Sequence, residues 1–225
     1  MDLNGKVALI TGGNSGMGRA ISKSLAGEGV KVALLARNRE KLDAVRKEIQ
    51  SDGGNALSVP ADLTKLGEIE EAVHSVADEW GQIDIVINNA GLGIFKTVEE
   101  MEVEDWDKHI DVMLRGAFLV TKKALPYLYD QKSGHIVMIS SLWAKKFCAR
   151  CSGYTAAKFG VRGFAESLRE EARPHNVKVT NVMPGTVDTP FFNKTDWEAD
   201  LSHALQPEDV ADTVLHAVQL PDRAA

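Results

Sequence analysis

The sequence predicts an α/β fold in which a doubly wound parallel sheet is covered by helices on both faces. Three observations carry that expectation. Short runs rich in Val, Ile and Leu alternate with longer amphipathic runs from the first residues to Met183, the order expected of repeated strand–helix units. Several of the short runs lack in/out alternation, as strands buried on both faces do. A glycine-rich turn, Thr11–Gly18, ends the first apolar run and opens the first amphipathic one.

In chain order, strands are predicted at Lys6–Ile10, Lys31–Ala36, Ala56–Val59, Ile83–Asn88, His135–Ser140 and Val177–Met183. Helical spacing of apolar residues predicts helices at Gly16–Glu28, Arg39–Asp52, Lys65–Trp80, Val103–Asp130, Tyr154–Arg173 and about Pro207–Leu220. No linker, low-complexity segment or short repeat interrupts the alternation, so residues 1–225 are expected to form a single domain that binds a dinucleotide and carries the chemistry.

Composition narrows the function classes. Hydrophobic residues make up 44% and charged residues 26%, ordinary for a globular protein. A formal net charge of −6 argues against nucleic acid as a partner, since phosphate binding favours a basic footprint. No apolar run approaches the ~20 residues that span a bilayer. The start, MDLNGKVALITGG, lacks a basic region followed by a long apolar stretch, so the expected location is the cytoplasm, with no membrane partner. The six histidines are scattered and a metal site is not expected. Cys148 and Cys151 form a C-x-x-C pair, read as thiols in a loop, with a redox pair as the other reading.

In open parallel sheets ligands bind beyond the carboxyl ends of the strands. After the first strand, Gly12, Gly16 and Gly18 would permit a tight turn and close backbone approach to a pyrophosphate, with Asn14, Ser15 and Met17 in the same loop. After the second, Ala36 stands where a ribose-binding acid would be sought, followed by Arg37 and Asn38. A guanidinium there suits a 2′-phosphate, so NADP(H) is expected over NAD(H). The other reading of Arg37 is a solvated residue opening a helix.

Tyr154 and Lys158 lie four residues apart in a helical pattern, which stacks phenol and ammonium on one face. A nearby cation would lower the phenol's pKa from ~10 towards the range useful for proton exchange. Taken alone, such a pair is common and seldom carries chemistry.

The order TGGNSGMG at Thr11–Gly18, Asp62, NNAG at Asn88–Gly91, the serine in MISS, YTAAK at Tyr154–Lys158 and PGTVDT at Pro184–Thr189 resembles that of the short-chain dehydrogenase/reductase family. The likeness runs from Lys6 to Leu220 and implies a sheet ordered 3-2-1-4-5-6. It implies Tyr154 as catalytic acid/base, with Lys158 lowering its pKa and holding the nicotinamide ribose. Ser141, thirteen residues before the tyrosine, is implied to orient the substrate oxygen, with Ser140 serving the turn. Asp62, with Leu63, would contact the adenine, or Asp62 would cap the following helix. Asn89, Ala90 and Gly91 would approach the adenosine ribose. Pro184, Gly185, Val187 and Thr189 would hold the nicotinamide carboxamide. The expected reaction is hydride transfer between nicotinamide and a carbonyl or secondary alcohol, of carbonyl reductase or alcohol dehydrogenase type.

Two departures stand out. The run Asp111–Gly116 carries Met113 where the family commonly has an asparagine, and a thioether cannot replace amide hydrogen bonds. This favours a rival reading, a catalytically weak regulatory or structural subunit that still binds a dinucleotide. The chain ends soon after its last helix, so a seventh strand is expected to be missing. Leu92, Gly93, Leu142 and Trp143, with the stretches Lys145–Cys151 and Phe191–Trp197, are expected to form the substrate wall. Trp143 as plain packing, and Lys145, Lys146 and Arg150 as attractors of an anionic substrate or as a solvated loop, remain open. The two long helices carry apolar residues on more than one face, and the resemblance implies that they pair across a two-fold axis in a homodimer or homotetramer.

Overall fold

A computed structural model describes residues 2–195, 197–198 and 200–221. The strands are β1 (Val7–Thr11), β2 (Lys31–Ala36), β3 (Asn55–Pro60), β4 (Ile85–Asn88), β5 (Gly134–Ile139) and β6 (Val177–Val182). They form one parallel sheet in the order β3-β2-β1-β4-β5-β6, as expected. The helices are α1 (Gly16–Gly27), α2 (Arg39–Ser51), α3 (Leu66–Trp80), α4 (Val103–His109), α5 (Gly116–Gln131), α6 (Ser152–Ala172) and α7 (Pro207–Gln219).

The central strands lack polar alternation because both faces are covered. In β1, Val7 and Leu9 join the apolar layer packed by α3, α5 and α6, while Ala8 and Ile10 join the one packed by α1, α2 and α7. The same division holds for Ile136 and Met138 against Val137 and Ile139 in β5. Each such fully buried side chain contributes roughly 1.5–3 kcal/mol, so the sheet's two faces fix its register. Asp84, buried ahead of β4, accepts from Val7 N (2.8 Å) and Lys6 Nζ (2.9 Å) and ties the entries of two neighbouring strands.

Local signals set the ends. Asn38 Oδ1 accepts from Lys41 N at 2.8 Å to cap α2, Gly81 (φ 76°) ends α3 in the left-handed region, and Asp209 Oδ2 accepts from Gln206 N at the start of α7. The expected helix Val103–Asp130 is not continuous: Ile110–Arg115 is a π-helical segment between α4 and α5. The wider turn is accommodated at Gly116, where an added Cβ would lie 3.1 Å from Leu63 Cβ and 3.3 Å from Asp111 O. Such bulges recur at functional sites, and this one holds Met113.

Among the described residues the sheet has six strands, leaving β6 at an edge. The expectation about the tail concerns residues 222–225 in part, and these lie outside the described residues. Among the described residues no helix is long and apolar enough to cross a membrane.

Candidate active site

The carboxyl ends of β1, β4, β5 and β6 converge. Thr11, at the end of β1, uses its hydroxyl twice as an acceptor, from Asn89 N (2.9 Å) and Ala90 N (3.0 Å). Asn89 Nδ2 donates back to Thr11 O (3.0 Å) and Gly12 O (3.4 Å). The glycine-rich loop and the Asn88–Gly91 turn are thereby one unit. Asn88 faces the other way, its Nδ2 donating to Thr121 Oγ1 of α5 at 3.0 Å.

Within the loop three glycines answer a backbone need. Gly12 has φ 68°, and a Cβ on Gly18 would lie 2.1 Å from Gly12 O, so the loop closes on the first turn of α1. Gly16, at φ 49°, lies under Thr189, whose Cγ2 would be 3.2 Å from an added Cβ. The Pro184–Thr189 segment therefore reaches back over the loop. It is anchored by Leu142 N donating to Pro184 O (2.8 Å) and Asp188 N donating to Leu205 O (2.8 Å), with Val187 buried and Gly185 exposed. Ser15 precedes α1 without bonding its backbone through the side chain, and the first turn of α1 carries no acid. Exposed N–H groups and an unopposed helix dipole there suit an anion. Asn14 and Met17 are part-buried in the same loop.

Beyond β2, Arg37 and Asn38 are exposed. Asn38 commits its carboxamide oxygen to capping α2. Asp62 does not cap α3, whose N-cap is Lys65 without a side-chain bond; its Oδ1 accepts from Thr64 N and Thr64 Oγ1, both at 2.9 Å. Burial pushes its carboxyl up, but the two Thr64 bonds and the charges of Arg37 and Lys65 hold it below the ordinary value. Arg37 thus stands beside the Asp62 turn, whose neighbour Leu63 is buried.

Ser141, Tyr154 and Lys158 come together between β5 and α6. Ser141 Oγ accepts from Trp143 N at 3.1 Å and also hydrogen-bonds Tyr154. Ser140 instead donates to Asn181 Oδ1 of β6 at 2.6 Å. Lys158 Nζ donates to Ile139 O at 2.9 Å and lies 5.7 Å from the Tyr154 ring centroid. The expected acidification of the phenol is not what burial produces. Enclosure pushes Tyr154 up to about 12, against the Ser141 hydrogen bond, which lowers it. Enclosure also pulls Lys158 down to about 8. Both charged forms lose hydration in the same apolar surroundings, and that loss is the largest cause of each shift.

Met113 is buried and, with Thr11, Asn88, Ile139 and Lys158, lines a small cavity. Its sulfur would lie 3.6 Å from a Cβ on Gly91, and Lys158 Nζ 3.9 Å. The position where the family's asparagine was sought therefore does border the lysine.

Two features escaped the sequence. His109 is buried, with Nδ1 2.8 Å from Asp105 O and Nε2 3.1 Å from Ile94 N. One tautomer satisfies both, Nδ1–H donating and Nε2 accepting. Burial holds its pKa below the ordinary value, so it serves as a neutral bracket between α4 and the Leu92–Phe95 turn, edge-on to Tyr154 at 6.3 Å. The available signal was its i, i+4 spacing with Asp105 and Met113. The second is a correction. Cys148 and Cys151 are not separate thiols but a disulfide, because the loop turns back through Arg150 (φ 64°) and sets the second cysteine at the start of α6.

A family model described as short chain dehydrogenase matches residues 6–199. The chain belongs to the short-chain dehydrogenase family. It is 36% identical over 222 residues to an oxidoreductase of Staphylococcus saprophyticus, covering 98% of this chain and 94% of the relative. A metagenomic short-chain oxidoreductase solved with NADP superposes with TM-score 0.88 at 36% identity, covering 99% and 94% of the two chains. The actinorhodin polyketide ketoreductase solved with NADPH gives 0.91 at 30% identity, covering 98% and 92%. An alcohol dehydrogenase from Thermococcus sibiricus solved with 5-hydroxy-NADP gives 0.89 at 31%, covering 96% and 92%. This short-chain dehydrogenase is thus an oxidoreductase by family, with six strands in the order that the resemblance implied.

Proposed function

We propose that this short-chain dehydrogenase is an NADP(H)-dependent oxidoreductase acting on a carbonyl or secondary alcohol, with Tyr154 as its acid/base. The observation that carries it is the meeting of Ser141, Tyr154 and Lys158 at the end of β5, beside the glycine loop. The loop fits a dinucleotide, since a side chain at Gly18 would strike Gly12 O and the start of α1 carries no competing acid. Gly12, Asn14, Ser15, Gly16, Met17 and Gly18 would hold the pyrophosphate. Arg37, exposed at the end of β2, would face the 2′-phosphate, and Asn38 the adjoining ribose. Leu63 beside Asp62 would flank the adenine, Asn89 to Gly91 the adenosine ribose, and Pro184 to Thr189 the nicotinamide. When bound, the reduced nicotinamide supplies the hydride for the carbonyl carbon.

The chain's own residues handle the oxygen. Ser141 donates a hydrogen bond that orients it. Tyr154, protonated across the physiological range at a pKa of about 12, gives it a proton. That state suits reduction; the reverse reaction needs the phenolate. Lys158, at about 8, would bind ribose hydroxyls and, when charged, favour the phenolate left behind. Exposed Phe118 and Phe159 on α5 and α6 support association of copies through these helices.

The test is steady-state reduction of a panel of ketones and aldehydes with NADPH and NADH. NADPH is expected to be the better donor. Tyr154→Phe is expected to lose about 10²–10⁴-fold in kcat while still binding NADPH. Turnover undiminished by that substitution, or no binding of either nucleotide, overturns the proposal.

A further inference from the structure

Tyr154 stands against a wall made almost wholly of aromatic rings. Phe95, only 2% exposed, is the hub. Its ring centroid lies 5.8 Å from Trp143, 5.8 Å from Tyr154, 6.5 Å from Phe191 and 5.3 Å from Trp197. Trp143 is edge-on to Tyr154 at 5.5 Å and Phe191 at 6.1 Å. These separations are those at which ring edges and faces attract beyond simple area burial. Gly93 makes the closure feasible. A Cβ there would lie 2.7 Å from Phe191 Cζ and 2.8 Å from Phe95 Cζ, so both rings rest directly on its backbone.

The Trp197 ring forms the far wall, 5.3 Å from Phe95 and 5.5 Å from Trp143, and Trp197 N donates to Thr195 Oγ1 of the preceding turn at 3.3 Å. The residues in this cluster carry no formal charge, and Lys145, Lys146 and Arg150 on the adjoining loop are exposed to solvent. Polar recognition is confined to the Ser141 and Tyr154 hydroxyls at one end. An aliphatic chain set against these rings would lack the edge-to-face geometry, and a carboxylate would be desolvated against ring faces without a partner.

We infer that the box of Phe95, Trp143, Phe191 and Trp197 selects a neutral aromatic ring attached to the reacting carbon, so that the substrates are aryl ketones or aryl aldehydes and the corresponding benzylic alcohols. The inference rests on the Tyr154 reading for its chemistry and on ring geometry for its selectivity. On reduction the carbonyl carbon gains the hydride from the reduced nicotinamide and the oxygen gains the Tyr154 proton, leaving the alcohol and the oxidised nucleotide.

The test pairs acetophenone with cyclohexyl methyl ketone, which match in carbon count and differ in the ring. Conjugation makes the aryl carbonyl the weaker electrophile, so a preference for it must come from the protein. With NADPH, kcat/KM is expected to be about tenfold higher for acetophenone, the product of one or two favourable ring contacts. Trp143→Leu should bring the ratio close to one, and Trp143→Phe should restore most of it. A second arm uses Tyr154→Phe, which keeps the ring and lacks the proton donor. Saturation-transfer NMR on that variant with NADPH should show tighter binding of acetophenone. Equal or inverted preference in the binding arm overturns the box. Preferential binding with neither ketone reduced by the unaltered protein leaves the box standing and overturns the Tyr154 chemistry instead.

Discussion

Lys158 is 4% exposed and donates to one backbone carbonyl, Ile139 O. A cation so enclosed is costly, and burial depresses its pKa from 10.5 to about 8. A depressed pKa means that the unfolded chain holds the proton more tightly between those values. Its stabilising contribution is therefore complete above pH 10.5 and lost as pH falls through 8. Tyr154 acts in the opposite sense and elsewhere: raised from 10.0 to about 12, it contributes stability below pH 10 that is lost as pH rises through 12. Of these two groups, only the lysine contributes to the slope between pH 8 and 10. We predict that Lys158→Met stabilises the ligand-free protein at pH 7 by on the order of 3 kcal/mol, read as a higher melting temperature, while abolishing turnover. Thermal melts across pH 7–10.5 check this; the gap between the two proteins should close as pH rises. A variant that melts lower at pH 7 would show that the Ile139 bond outweighs the buried charge.

At the scale of elements, the start of α6 is where several constraints meet. Tyr154 lies in its first turn, His109 packs under Gly153, where an added Cβ would be 2.9 Å from Nδ1, and the Cys148–Cys151 disulfide closes the preceding loop. Cys151 is fully buried within the same apolar cluster as Phe95, Met113 and Tyr154, so the cross-link holds the loop that follows Trp143 against the site. The closed loop is short, with a sequence separation of 3, and loop entropy gives it a stabilising effect of about 2 kcal/mol. Reduction with a dithiol, or Cys148→Ser with Cys151→Ser, is expected to lower the melting temperature by about 4–8 °C for a chain of this size. Differential scanning calorimetry with and without reductant checks it; an unchanged midpoint would mean that packing of Cys151 suffices. The π-helical segment serves the same end from the other side. Its extra residue per turn breaks what the apolar spacing read as one helix and sets Met113 next to Lys158 and Gly91.

For the whole molecule, a parallel sheet buried on both faces gathers its carboxyl ends at one rim, and residues far apart in sequence meet there: Thr11 with Asn89, Gly16 with Thr189, Ser141 with Tyr154. Phe118 and Phe159 are 42% and 41% exposed on α5 and α6. If copies associate through these helices, Phe118→Glu combined with Phe159→Glu should shift light-scattering mass to that of a single chain, and an unchanged mass would place the contact elsewhere. Much of this was legible in the sequence. Strand order and the Ser141, Tyr154 and Lys158 set followed from the resemblance, and strand and helix positions from period and breakers, because backbone hydrogen bonding and apolar burial act on local patterns. The interruption at Ile110–Arg115 was not, since helical spacing of side chains survives a one-residue bulge. Nor was the Asp62–Thr64 turn, because an acid at that point can bond its own turn, a helix start or a ligand, and only the folded backbone brings Thr64 to it. By itself, then, the sequence determined the layered sheet, its rim and the residue types gathered there. Tertiary structure alone decided their electrostatics and surroundings: a phenol pushed up and an ammonium pulled down by enclosure, two cysteines joined, and four aromatic rings brought around Phe95. Each depends on how much water is excluded and which distant side chains arrive, and no local pattern in the chain encodes that.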